Sequence, residues 1–193
     1  MKTLVIFDFD DTLFRSNSMI GIQPIDGQKR YISTHEYASY VPKHGEKFDY
    51  HMFDEYPVDP KPVRAATKKF DASVRDHGIH NVVILTARSN PEPVRRVLSD
   101  FGMPPVKILA IGSANPHHKA DEVEKLMAQD SFSRVVVYED NKKNIDAIRH
   151  RIHTTFPASH FSSFLVKATK RGDRLMPEGI RAALQASELV SHL

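Results

Sequence analysis

The sequence predicts an α/β fold: a Rossmann-like three-layer sandwich around a central, mainly parallel sheet, in one domain spanning 1–193. Three observations predict it. Short apolar runs of strand length alternate with helical segments, the order of β-α-β units. The first run, Leu4 to Phe7, is continuously apolar, as in a strand covered on both faces, and Asn81 to Thr86 reads as a second buried strand. A chain of 193 residues, 40% hydrophobic and 26% charged, suits one soluble domain.

Each element follows in order. Lys2 to Phe9 (KTLVIFDF) reads as a first strand, its apolar run ending in acids. Residues 14–59 show no clean period and read as an irregular insert. From Pro60 to His77, Val63, Ala66, Phe70 and Val74 recur at three or four, a helix with Gly78 as its C-cap. Asn81 to Thr86 is a second buried strand, and Pro91 to Phe101 a helix with Val94, Val97, Leu98 and Phe101 on one face. Val106 to Ile111 is the third strand, followed by a helix over Lys119 to Gln129. Arg134 to Tyr138 (RVVVY) is the fourth, followed by a short helix over Asn141 to Arg149. The basic extension 152–193 adds a strand around Phe164 to Ala168 and a helix from Pro177 onward.

Composition excludes several classes. There is no cysteine, hence no disulfide, thiolate nucleophile or Cys-based metal site. The N-terminal apolar run is cut short by Asp8, and no stretch nears the ~18 apolar residues of a membrane helix. The expectation is a cytoplasmic protein. Net charge is +3 but uneven: residues 142–181 hold nine Lys/Arg against three acids. Such a segment can attract a polyanion, although solvated helix faces are the more ordinary reading.

In open α/β sheets, ligands bind beyond the carboxyl ends of the strands. The first strand ends in Asp8, Asp10 and Asp11, and the second in Thr86, Ala87 and Arg88. The fourth ends in Glu139, Asp140 and Asn141, with Asn144 one turn later, and Lys119 opens the helix after the third. This set suits phosphoryl transfer. Asp8 and Asp140 can hold Mg²⁺, which takes one or two carboxylates plus water and phosphate oxygens. An aspartate can then attack phosphorus while a second carboxylate moves protons. Residues i and i+2 of a strand share a face, which pairs Asp8 with Asp10. The Thr86 hydroxyl and neighbouring backbone N–H groups suit phosphoryl oxygens, and Lys119 suits the charge in transfer. Lys107 competes for that role but lies at the start of its strand, the wrong end.

FDFDDTLF, LTAR, Lys119 and YEDNKKN resemble, in order, the four motifs of the haloacid dehalogenase (HAD) superfamily of phosphohydrolases, over Phe7 to Asn144. The resemblance implies a Mg²⁺-dependent phosphomonoester hydrolase with Asp8 as nucleophile and Asp10 as general acid/base. It implies Thr86, Ala87 and Lys119 as phosphate ligands. Asp8, the backbone carbonyl of Asp10, and Asp140 would be the metal ligands, supported by Asn144. An aspartate at the second motif position favours a phosphatase over a dehalogenase. Two departures stand out: Asp11 replaces a frequent glycine, and Glu139-Asp140 then Asn144 replaces a common second aspartate, so that Glu139 can share the metal.

In this superfamily, caps inserted after the first or second unit restrict the substrate. Here the insert 14–59 is modest, so a small or absent cap and a fairly open site are expected. It carries Tyr31, Tyr37, Tyr40, Tyr50 and Tyr56, with Phe48 and Phe53. Such rings stack on bases at about 1–3 kcal/mol each, or simply pack the insert onto the sheet. TLFRSN, LTAR and YEDN are also similar to HAD phosphatase domains associated with RNA repair. A nucleotide or other small phosphate ester therefore competes with a 3′- or 5′-phosphorylated polynucleotide end as substrate. A phospho-accepting receiver also uses an acidic pair, a Thr and a Lys. Its acceptor Asp ends a middle strand after the acidic pair, and no such Asp intervenes here. A nucleic-acid-binding protein without catalysis leaves the four-part set unexplained. No P-loop occurs, and the histidines make no persuasive zinc site.

Overall fold

The computed structural model describes residues 2–169 and 172–178. In chain order the elements are β1 (Thr3–Phe7), β2 (Phe14–Arg15), β3 (Met19–Gln23), β4 (Arg30–Ser33), α1 (Thr34–Ser39), β5 (Lys47–Asp49), β6 (Lys61–Pro62), α2 (Arg64–His77), β7 (Val82–Thr86), α3 (Glu92–Asp100), β8 (Lys107–Ala110), α4 (Pro116–Gln129), β9 (Arg134–Glu139), α5 (Lys142–Thr155), β10 (His160–Thr169) and β11 (Gly172–Glu178). Six strands form the central sheet in the order β11-β10-β9-β1-β7-β8. All its pairings are parallel except β10 with β11 at the edge. The expected α/β class and mainly parallel sheet are therefore observed.

β1 explains the layering. All five of its residues are buried, and their period of two divides them between faces. Val5 and Phe7 pack with Ala66 and Phe70 of α2 and with Val94 and Leu98 of α3. Leu4 and Ile6 pack with Val123 and Met127 of α4 and with Ile148 and Ile152 of α5. Each such side chain contributes about 1.5–3 kcal/mol on full burial. Phe7, Tyr138 and Phe164 stand in register on adjacent strands. Their rings stack at 4.4 and 4.9 Å between centroids, and Phe70 caps Phe7 edge-on at 5.3 Å.

Several boundaries move for identifiable reasons. α2 starts at Arg64 rather than Pro60, because Lys61–Pro62 pair with β2. It ends as expected at Gly78, whose φ of +84° suits a residue without Cβ. α4 starts three residues before Lys119: the Asn115 side chain accepts from the His117 N–H at 3.0 Å, and Pro116 takes the first helical position. α5 runs past Arg149 to Thr155, since no glycine or proline interrupts it and Ile152 is buried.

The insert is not irregular. It forms a three-stranded antiparallel sheet, β4-β3-β5, plus α1, which a Ser33–Glu36 capping box starts. The expected helix from Pro177 is corrected in part: Pro177 and Glu178 close β11, where Pro177 pairs with Phe164. An edge strand tolerates a proline that lacks its N–H. The remainder of that helix lies outside the described residues. β10 is an interior strand between β9 and β11, so the start of the C-terminal extension is part of the sheet. Among the described residues, no helix is long and apolar enough to cross a membrane.

Candidate active site

The Asp8 N–H donates to the Tyr138 carbonyl at 3.0 Å, carrying the β1–β9 ladder one residue past Phe7. Asp8 thus stands at the carboxyl end of the central strand. β9 delivers Glu139 beside it, with Asp140 next. Lys119, on the first turn of α4, donates from Nζ to Asp8 Oδ1 and to Glu139 Oε2, both at 2.8 Å. The other Glu139 oxygen accepts from Asn144 Nδ2 at 3.0 Å and from the Asn141 N–H at 3.3 Å. Asp8, Lys119 and Glu139 are all buried, and Asp140 is half-buried.

This crowding sets the protonation chemistry. Burial, then the Glu139 charge, pushes the Asp8 carboxyl up to about 7, and Lys119 offsets only part of this. Asp140 is also raised, by loss of solvent and by Glu139 and Asp8. Burial alone would lower Lys119, but its two carboxylate partners outweigh that and raise it, so it stays a cation. Burial is the larger cause for both carboxyls, and repulsion from the neighbouring carboxylates adds to it.

Carboxylate oxygens of Asp8, Glu139 and Asp140 lie within 4.8 Å of one another. With all three carboxylates ionised, as cation binding requires, one ammonium leaves two negative charges, which a divalent cation would balance. All the donors are hard oxygens, with no sulfur or imidazole among them, which fits Mg²⁺ or a similar ion. The Asp10 side chain is not in this trio. Glu139, expected only to share the metal, is one of the three.

Asp10 points instead to Arg88, whose Nε and Nη2 donate to its two oxygens at 2.9 and 2.8 Å. Thr86 is fully buried and does not line the cavity; its Oγ1 accepts from the Arg88 N–H at 3.2 Å. The hydroxyl therefore shapes the turn after β7, and Ala87, Arg88 and Ser89 present that turn to the cavity. Asp11 takes the left-handed region at φ +57°, where a short polar side chain is tolerated. Burial raises its carboxyl, and its Oδ2 is buried without a hydrogen-bond partner among the described residues. Lys107 is exposed at the amino end of β8, away from these groups.

The acidic groups form the floor of a cavity of about 730 Å³. Its roof comes from the insert: Thr34, Tyr37, Phe48, Tyr50, Phe53 and Asp54 line it. Tyr37 stands edge-on to Phe48 and Tyr50 at 5.6 and 5.9 Å, and the two tyrosine hydroxyls are 2.6 Å apart. The insert, expected as a small or absent cap over a fairly open site, forms a folded aromatic wall of the cavity. Sequence reasoning gave the wall's composition but not its place, because Gly21 and the short strands hide any period. Family models, curated proteins and solved structures give no match to this chain.

Proposed function

We propose that the chain is a Mg²⁺-dependent phosphomonoester hydrolase of HAD type, acting through an aspartyl phosphate on Asp8. The observation that supports it is the buried Asp8–Lys119–Glu139 arrangement beside Asp140, at the carboxyl end of a parallel sheet and open to a cavity. A purely structural ion pair would not need two carboxylates on one ammonium and a third beside them.

In this reading an Asp8 oxygen attacks phosphorus and the bond to the leaving oxygen breaks. That oxygen receives the proton that Asp10 carries on a lone pair Arg88 does not occupy. Water then attacks the aspartyl phosphate, gives its proton to Asp10, and Asp8 is released with inorganic phosphate. Lys119 keeps its charge beside Asp8 throughout and offsets the phosphoryl oxygens. Ala87, Arg88 and Ser89, which follow Thr86, line the same cavity. Mg²⁺, held by Asp8, Asp140 and the Asp10 carbonyl with Glu139 beside them, would supply charge neutralisation of the phosphoryl group.

The cavity volume falls within the ~300–1,000 Å³ of small-molecule sites, and its aromatic wall suits a flat leaving group. A nucleotide or similar aromatic phosphate ester is therefore the favoured substrate. The test is phosphate release from p-nitrophenyl phosphate, a nucleotide panel and 3′- and 5′-phosphorylated oligonucleotides, with and without Mg²⁺. Mononucleotides should exceed oligonucleotides in kcat/KM. A preference for oligonucleotides that collapses with salt would instead assign a polynucleotide end. Release from none of them would remove the enzyme reading.

A further inference from the structure

Arg88 is a cation in the cavity wall, and the simple use for it would be to hold phosphate. Its hydrogen bonds assign it elsewhere. Nε and Nη2 grip both oxygens of Asp10 at 2.9 and 2.8 Å. Nη1 donates to the carbonyls of Phe53 and Glu55 at 2.8 and 3.4 Å. Four of its five N–H groups are thus engaged within the protein. Its side chain is 1% exposed and lies between the rings of Phe9 and Phe53, at 5.3 and 5.0 Å.

A two-pronged guanidinium fixes the plane of a carboxylate as well as its position. The third prong reaches the insert, just after the wall formed by Phe48 and Tyr50. The same stretch is held to the turn after β7 by Ser89 on the Asp54 carboxylate and by Asn90 Nδ2 on the Asp54 carbonyl at 3.3 Å. We propose that Arg88 is a positioning residue: it aims the Asp10 carboxyl for proton transfer and ties that aim to the placement of the insert. This rests on the phosphoryl-transfer reading above.

The consequence concerns leaving groups. When the bond from phosphorus to the leaving oxygen breaks, its electron pair stays on that oxygen. An alkoxide then needs the Asp10 proton, whereas p-nitrophenolate leaves without it. Lysine cannot reproduce the two-pronged grip. Arg88→Lys should therefore lower kcat/KM on an alkyl phosphomonoester at least about 100-fold, the scale of general acid catalysis, and on p-nitrophenyl phosphate less than about tenfold. The ratio is taken within one preparation, so a partly unfolded sample scales both values and cancels. Equal losses on both esters, or no loss, would overturn the proposal. If Arg88→Lys does not fold, Asp10→Asn/Arg88→Met removes both charges of the pair together. Its kcat/KM should match Asp10→Asn alone within about twofold, because Arg88 acts through Asp10. A further loss in the double variant would overturn the proposal. Wild-type protein inactive on both esters would overturn the phosphatase reading itself, and this proposal with it. Wild-type activity lost in Asp8→Asn, with an unmoved leaving-group ratio in Arg88→Lys, would overturn the role of Arg88 alone.

Discussion

Lys119 and Asp8, 111 positions apart in sequence, share a 2.8 Å hydrogen bond at the buried end of the central sheet. The bond joins the first turn of α4 to the end of β1. Removing the ammonium leaves Asp8 and Glu139 buried without their counter-charge. Lys119→Met should therefore cost about 3–5 kcal/mol in metal-free protein, measured by urea unfolding. It should also lower kcat by at least about 100-fold. An unchanged unfolding midpoint would show that the three groups do not interact as drawn.

The raised carboxyls give a pH dependence of unusual sign. Asp8 binds its proton up to about pH 7 when folded, whereas an unfolded aspartate loses it near pH 4. Between these values the folded state holds more protons, so stability falls as pH rises. Asp140 is raised too and acts in the same direction. Metal-free protein should melt at a lower temperature at pH 7.5 than at pH 5.5. Excess Mg²⁺ should restore much of the difference at the higher pH and change little at the lower. A metal-free Tm that climbs across this window would refute the crowding of these groups.

Glu139 has a more central place than its neighbours in sequence suggest. It touches Lys119, Asn141 and Asn144 and belongs to the acidic trio. Glu139→Gln should weaken Mg²⁺ binding by about 10–100-fold, read by calorimetry or by the Mg²⁺ concentration that raises Tm. Unaltered binding would place the ion away from this residue.

The stacked rings of Phe7, Tyr138 and Phe164 tie three adjacent strands together. Tyr138 is 6% exposed, and Tyr138→Ala should cost about 3–5 kcal/mol in chemical denaturation. Val41, 79% exposed in the insert, is the matched control, and Val41→Ala should stay within about 0.5 kcal/mol. Similar effects at both sites would argue against the stack as a core element.

The central layers were legible because β1, β7 and β9 are continuous apolar runs and the helices between them keep a regular apolar face. Acids at the strand ends followed directly from parallel order. The insert was not legible: β3 to β5 are short, and within β3 Gly21 breaks the alternation. β11 was missed because its exposure alternates only weakly and a proline lies in it. Within the site, Asp8 and Lys119 meet as their placement on one sheet edge implied. The pairing of Asp10 with Arg88, and the occupied Thr86 hydroxyl, depend on rotamers that no spacing rule gives. Glu139 is not marked out by the sequence, because the fourth-motif resemblance falls on the next residue, Asp140.

The most direct test of the account is to capture the phosphoryl group on the chain. Protein mixed briefly with Mg²⁺ and a small phosphoryl donor would be acid-quenched, digested and mapped by mass spectrometry. The account predicts one phosphoryl group on the peptide containing Asp8, absent without Mg²⁺ and absent in Asp8→Asn, which also releases no phosphate. Phosphate release that persists in Asp8→Asn, or a phosphoryl group mapped to another residue, would contradict it.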